Sequence, residues 1–363
     1  MKKLDRYILF IFLKTFFFSV FLFALIATAI DASEKSEDFI KRNLTFSDIF
    51  YNYYIGFIPH IITLLFPVFI LISVVFFTSR LAMRSEILAM LSVGMSLQRI
   101  MRPFWIGGIF FALLLGLLNH FIIPEANKIR TEFERKYIYL HNSSGDNSAF
   151  VNNVYFRIDS NTYAGIRSFD TLSKSGNGFF LSRLTNGQMQ MNMRAESIVW
   201  DESRKQWQLN NVVERKIIGY KEEVKYYPTF QIQFGYKPGE LTTDEYMKDK
   251  LKTPDLNRLI TKEEVRGSEG VIPLKFERYR RDANAVSVIV MTLIAGILAS
   301  RKIRGGSGFH MGLAFVIGVS FIVIDKFAMV FCIKGNLHPI IAAWLPTFLF
   351  GLLTLRLYKL APK

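Results

Sequence analysis

The sequence predicts an α-helical membrane protein with six transmembrane helices and one inserted all-β domain of jelly-roll-like type. Three observations lead there. Half of the 363 residues are hydrophobic (51%), with 35 Phe and a mean hydropathy of +0.24, which suits membrane spans plus a sizeable water-exposed part. Five or six stretches are apolar enough to cross a bilayer, which takes about 20 residues. Between the third and fourth, short runs alternate apolar and polar residues, the period of strands.

The spans read as Ile8–Ile30, Ile55–Ser79, Pro103–Ile123, Ala283–Ala299, Met311–Ile333 and Pro339–Leu357. The fourth is the shortest and is expected to begin near Tyr279, its arginines at the boundary. "ATA" at Ala27–Ala29 mimics a signal cleavage site. The apolar run before it exceeds the roughly 7–15 residues such signals use, so a retained helix is expected. Pro67, in the middle of span two, frees a backbone carbonyl and predicts a kink.

Charge sets the orientation. Lys2, Lys3 and Arg6 precede span one; Arg80, Arg84, Arg99 and Arg102 follow span two; Arg301, Lys302 and Arg304 follow span four; Lys359 and Lys363 follow span six. Six crossings place all four groups on one side, which the short-loop rule makes cytoplasmic, with both termini. The formal charge of +15 is thereby assigned to loops, and no nucleic acid partner is expected.

The middle region holds "NVYFRIDSNTYAGIRSF", "AESIVWDESRKQWQLNNVVER" and "YYPTFQIQFGY"; Trp200 and Trp207 flank a turn at "DESRKQ". Several strands without helices between them predict a sandwich or jelly roll. The expected layout is residues 1–125 for three helices with a cytoplasmic segment at about 84–102, 126–272 for the β-domain and its connectors, and 273–363 for the last three helices.

Several chemistries find no support. The single Cys332 allows neither a disulfide framework nor a Cys-based metal site. His60, His120, His141, His310 and His338 are scattered without metal spacing, and G-x-S-x-G is absent. No metal and no catalytic set are expected. No G-x-x-x-x-G-K-[ST] occurs, so the chain has no P-loop and no cofactor of its own; "RKIRGGSGFHMG" lacks the lysine–hydroxyl ending. An energy source would have to be a partner.

The stretch "RSEILAMLSVGMSLQRIMRP" is too polar to span and too apolar for a plain loop. On a helical wheel Ile87, Met90, Leu91, Gly94, Leu97 and Met101 share one face, and Ser85, Ser92, Ser96 and Arg99 the other. An amphipathic helix is expected, ended by Pro103, which opens the next span. It either lies passively in the interface or docks on a cytoplasmic motor. In the second case Arg84, Ser85, Glu86, Gly94 and Arg99 would form the coupling surface, with Glu86 the charge offered to the partner.

Residues spread along the chain resemble the LptF/LptG permease family. They are "LDRYIL", Pro59 and Pro67, the Ser85–Glu86 pair with Gly94-x-Ser96, Pro124, "FERYRRDA", "GGSG" at Gly305–Gly308 and "HPIIAAWLP". The opening and "AIDASEK" are more similar to the LptG branch. The resemblance implies a lipopolysaccharide export subunit of the bacterial inner membrane, its jellyroll in the periplasm. It implies pairing with a second permease of this type and drive by a cytoplasmic ATPase homodimer that holds ATP and magnesium. Lipid would pass to a periplasmic bridge protein, and a single-span accessory subunit could regulate the gate. The segment matching Arg84–Arg102 is the family's ATPase-coupling element.

Lipid A phosphates call for cations at the outer boundary, arginine above all because its planar fork donates two hydrogen bonds. The candidates are Lys35, Lys128, Arg130, Arg135, Arg278, Arg280 and Arg281; the alternative for each is pairing with Glu34, Glu132, Glu134 or Glu277. The resemblance supports Lys35, Arg130 and Arg135, although a further basic position of the LptG branch is not basic here, near Thr28. It also makes helices one and five the lateral gate. Asp31, Asp325 and Lys326 are the ionisable gate candidates on them, against polar packing as the alternative. Two other function classes stay open: a membrane-anchored binding or scaffold protein, and an ion-coupled lipid flippase with Asp325 as carrier.

Overall fold

A computed structural model describes residues 3–139, 150–170, 173–185, 188–219, 221–233, 238, 247–266, 270–301 and 306–360. His141, Lys2, Lys302, Arg304, Gly305 and Lys363 lie outside them. The chain forms two compact units, Met1–Phe133 with Lys248–Asn257 and Ile272–Lys363, and Glu134–Met247 with Arg258–Val271.

The first unit is helical. Its elements are α1 (Lys3–Lys41), the short α2 (Phe46–Ile49), α3 (Ile55–Met83), α4 (Glu86–Ser92), α5 (Leu97–Leu117) and α6 (Ile123–Glu134). After the β-strands come α7 (Met247–Lys250), α8 (Thr253–Arg266), which belongs to the second unit from Arg258 on, α9 (Val271–Ala299), α10 (Gly306–Lys334) and α11 (Pro339–Lys359). Among the described residues, six helices are long and apolar enough to cross a membrane. They overrun the apolar windows: α1 has 39 residues, about 58 Å at 1.5 Å each against an apolar layer of about 30 Å. The fourth span likewise starts at Val271, because nothing before Tyr279 breaks a helix once Pro273 lies in its first turn.

Phenylalanine holds the bundle together. Phe12 and Phe16 of α1 meet Phe111 of α5 at ring-centroid distances of 5.2 and 4.2 Å, and Phe77 of α3 stacks on Phe104 of α5 at 5.7 Å. Asp5, Ile8, Phe12 and Phe16 form the buried stripe of α1, while Phe10, Phe17, Phe18 and Phe21 point away from the chain. The apolar windows of α1 and α10 are the least covered of the six, 22% buried each, against 61% for the second span. These two helices have faces left for something outside the chain.

The second unit contains one six-stranded antiparallel sheet in the order β1-β2-β3-β4-β5-β6. The strands are β1 (Phe150–Asp159), β2 (Thr162–Asp170), β3 (Ser175–Thr185), β4 (Gln188–Asp201), β5 (Gln206–Ile218) and β6 (Lys221–Ile232). The inserted all-β domain is thus present, and among the described strands it is a meander without the crossings of a Greek key. Ile166, Phe169, Phe179, Leu181, Ile198, Trp207 and Leu209 form its core; the two-residue alternation holds for Phe179–Leu181 and Trp207–Leu209 but is broken between Ile166 and Phe169, three residues apart on β2. Trp200 pairs with Trp207 in register. The turn between them is closed by Asp201, whose Oδ1 accepts from the Ser203 amide (2.9 Å) and hydroxyl (2.5 Å). Those bonds hold the Asp201 carboxyl below its ordinary range.

Candidate functional site

One end of the bundle carries the segment between spans two and three. The continuous amphipathic helix expected over residues 84–102 is two helices. α4 ends at Ser92, and the chain leaves it through Gly94 at φ 82°. The Gly94 amide donates to the Leu91 carbonyl (3.0 Å) and the Met95 amide to the Met90 carbonyl (3.2 Å), the paired bonds of a Schellman stop. Ser96 is extended and occupies the N-cap position of α5 without a side-chain cap bond, and α5 runs from Leu97 through Pro103 into the span. Pro103 therefore sits inside α5 and does not open it. Gly94 is a breaker, not a member of an apolar face.

The apolar stripe survives this break. Ile87, Met90, Leu97, Ile100 and Met101 are buried, so α4 lies against the bundle. Its outer side presents Leu88 (58% exposed) and Val93 (80% exposed), with Arg84 and Glu86 beside them. Arg84 Nη1 is 4.0 Å from Glu86 Oε1. Ser85, at φ 59°, turns the chain from α3 into α4, a left-handed backbone that costs a non-glycine residue about 1 kcal/mol or more. Arg99 faces inward: its Nη2 donates to Asp5 Oδ2 of α1 at 2.9 Å.

The opposite end, by the alternation of the spans, carries the acidic and basic candidates. Asp31 Oδ1 accepts from the Tyr53 hydroxyl (2.9 Å) and pairs with Lys35 Nζ (2.9 Å). Lys35 also donates to the Tyr53 hydroxyl, so this lysine is held in place with 22% of its side chain exposed. Lys128 lies at the surface, 3.1 Å from Glu125, which Lys252 also approaches at 3.0 Å. Arg135 is exposed and lies in the second unit.

The three arginines of α9 behave differently. Arg281 is 4% exposed; it donates to Glu277 (3.3 Å), to the carbonyls of Leu251 (2.9 Å) and Lys248 (3.0 Å) and to the Thr253 hydroxyl (3.0 Å). Arg280 pairs with Glu277 (2.7 Å) and stands 3.8 Å from Asp325 of α10. Arg278 pairs with Asp282 (2.5 Å). Glu277 was the partner named as the alternative, and it takes up two of the candidates. Asp325 is thus beside a cation, while Lys326 is exposed.

Glu277, Arg280, Arg281, Asp325 and Lys326 line a cavity of about 110 Å³ with His60, Asn127 and Asp249. Burial pushes the Asp249 carboxyl up to about 6, and the neighbouring Glu277 carboxylate adds to the rise. Asp249, Thr253 and Tyr53 were not singled out in the sequence, because their partners lie on helices remote in the chain. The described residues contain no group of three His, Cys, Asp or Glu able to hold a metal ion.

A family model, "Lipopolysaccharide export system permease LptF/LptG", matches residues 6–360. No curated protein matches the chain. With nearly its whole length matched, the chain belongs to the LptF/LptG family of lipopolysaccharide export permeases and is a multi-pass membrane protein.

Proposed function

We propose, from that membership, that this chain is a permease subunit of an inner-membrane transporter that lifts lipopolysaccharide from the outer leaflet. It would work with a second permease of the same type and pass the lipid through its β-domain to a periplasmic bridge. Hydrolysis of ATP with magnesium would occur on a cytoplasmic ATPase homodimer, consistent with the missing P-loop. The carrying observation is α4: a seven-residue helix between two spans, buried through Ile87 and Met90 and presenting Leu88, Val93, Arg84 and Glu86 outward. A helix anchored on one side and apolar on the other suits a docking element better than a passive interfacial one.

The uncovered faces of α1 and α10 support a second permease and a lipid cavity between the two copies. Lys35, Lys128, Arg130, Arg135 and Arg278 are the candidate cations for lipid phosphates. Arg280 and Arg281 are given to the fold. The test is purification of the detergent-solubilised chain followed by lipid release from proteoliposomes. An ATPase and a second six-helix permease should co-purify, and Glu86→Ala should lose both the ATPase and release while inserting normally. Normal release by that variant refutes docking through Glu86. Release by the chain alone, abolished by Asp325→Asn, would favour the ion-coupled carrier.

A further inference from the structure

Arg99 was expected on the outer face of the coupling segment, yet it points into the bundle. Its pair with Asp5 joins the first turn of α5 to the first turn of α1, across 94 residues of sequence. The two side chains are 19% and 6% exposed, which removes the pair from most of the water that weakens surface ion pairs. Asp5 also sits where the α1 N-terminus favours a negative charge. Leu97, Ile100 and Ile8 are buried around the pair.

The local backbone gives this pair its meaning. α4 is set off from α3 by left-handed Ser85 and from α5 by left-handed Gly94, so neither neighbour continues it as one rod. α1 packs on α3 and α5, with little of its apolar window covered. α4 and α5 are joined by only the four residues Val93–Ser96, and Arg99, in the first turn of α5, makes a directional, charged contact with α1.

We propose that Arg99 and Asp5 form a positioning strut that passes movement of the coupling segment to α1, so that motor strokes shift one of the two least-covered helices. The proposal rests on the partner-driven reading above. In the strut, Arg99 does not touch the motor; it aligns α1 with α5 while the load is applied.

The test uses the reconstituted complex and reads lipid released per ATP hydrolysed, alongside ATPase co-purification and thermal stability. Arg99→Gln and Asp5→Asn should each retain the ATPase and its hydrolysis rate, yet cut release per ATP about tenfold, within the usual range of a coupling free energy. The double variant Asp5→Asn/Arg99→Gln should lose no more than either single change. The exchanged variant Asp5→Arg/Arg99→Asp should recover most of the ratio. Unchanged release per ATP in the single variants overturns the strut, as does loss of the ATPase from Arg99→Gln, which would make Arg99 a motor contact. Failure of the exchanged variant to recover at unchanged stability overturns it too. If no ATPase accompanies even the unaltered chain, the partner-driven reading fails first and takes the strut with it.

Discussion

Replacing Arg281 with methionine tests whether the buried charge of α9 serves the fold. The side chain makes four contacts: Glu277 Oε1 at 3.3 Å, the Leu251 carbonyl at 2.9 Å, the Lys248 carbonyl at 3.0 Å and the Thr253 hydroxyl at 3.0 Å. Methionine fills a similar volume but donates nothing. Two carbonyls lose a charged donor, and Glu277 keeps only Arg280 as its cation. Removing one member of a buried ion pair costs about 3–5 kcal/mol, because the partner left behind stays desolvated. At the roughly 2–4 °C per kcal/mol seen for larger domains, the midpoint of thermal unfolding in detergent should fall by about 10 °C. Hydrogen exchange should also quicken at the amides of 248–253, the segment Arg281 ties to α9. Arg278→Ala is the control. Its ion pair with Asp282 is shorter, 2.5 Å against 3.3 Å, but 27% and 40% exposed, so a loss of at most about 1 kcal/mol is expected. An Arg281→Met variant melting within about 2 °C of the parent would refute the argument, and so would an equal drop for Arg278→Ala.

Two further outcomes follow from the same end of the bundle. Asp249 binds its proton more tightly when folded, so its burial penalty is absent below pH 3.8, grows as pH rises, and is complete above about 6. A rise from 3.8 to about 6 corresponds to about 3 kcal/mol, so Asp249→Asn should raise the melting midpoint at pH 7.5 and lose that advantage near pH 4, measured by melting curves across that range. Gly56 is a packing site: a Cβ there would stand 2.4 Å from the Ala126 carbonyl oxygen and 2.7 Å from the Arg130 amide. Both atoms are backbone, so Gly56→Ala must push α3 from α6 and should cost about 1–3 kcal/mol. Gly351→Ala, with nothing within 4 Å, should be neutral or slightly stabilising by helix propensity, as parallel melting curves would read.

The spans were legible because twenty apolar residues in a row have few other uses. Their true ends were not, since hydropathy marks where the oil stops and a helix continues until something breaks it. The π-helical turns at Phe50–Tyr54 and Leu118–Ile122 carry no compositional mark, being set by packing. The break in the coupling segment did carry one. Gly94 followed by Ser96 is a stop signal and an N-cap position two residues apart, but the hydrophobic period continues through it and masks the break. Arg99 shows the cost: the wheel of one long helix put it outside, whereas a fresh start at Leu97 turns it toward Asp5.

The basic candidates show why charge content alone could not separate ligand sites from structure. Lys35, Lys128 and Arg281 look equivalent in the sequence, each a cation beside a span with an acid three or four positions away. What divides them is depth. A surface pair such as Lys128–Glu125 contributes little and can exchange Glu125 for an incoming phosphate at small cost. A pair as buried as Arg281–Glu277 cannot, since the freed carboxylate would remain without water. Glu277 takes two arginines, and those arginines in turn reach Asp325 and the 248–253 backbone. An acid so placed neutralises the positive excess from within, and the Lys35–Asp31 pair, 22% and 8% exposed, lies nearly as deep as Arg280–Glu277 at 18% and 11%, whereas the partner of Lys128 is half exposed.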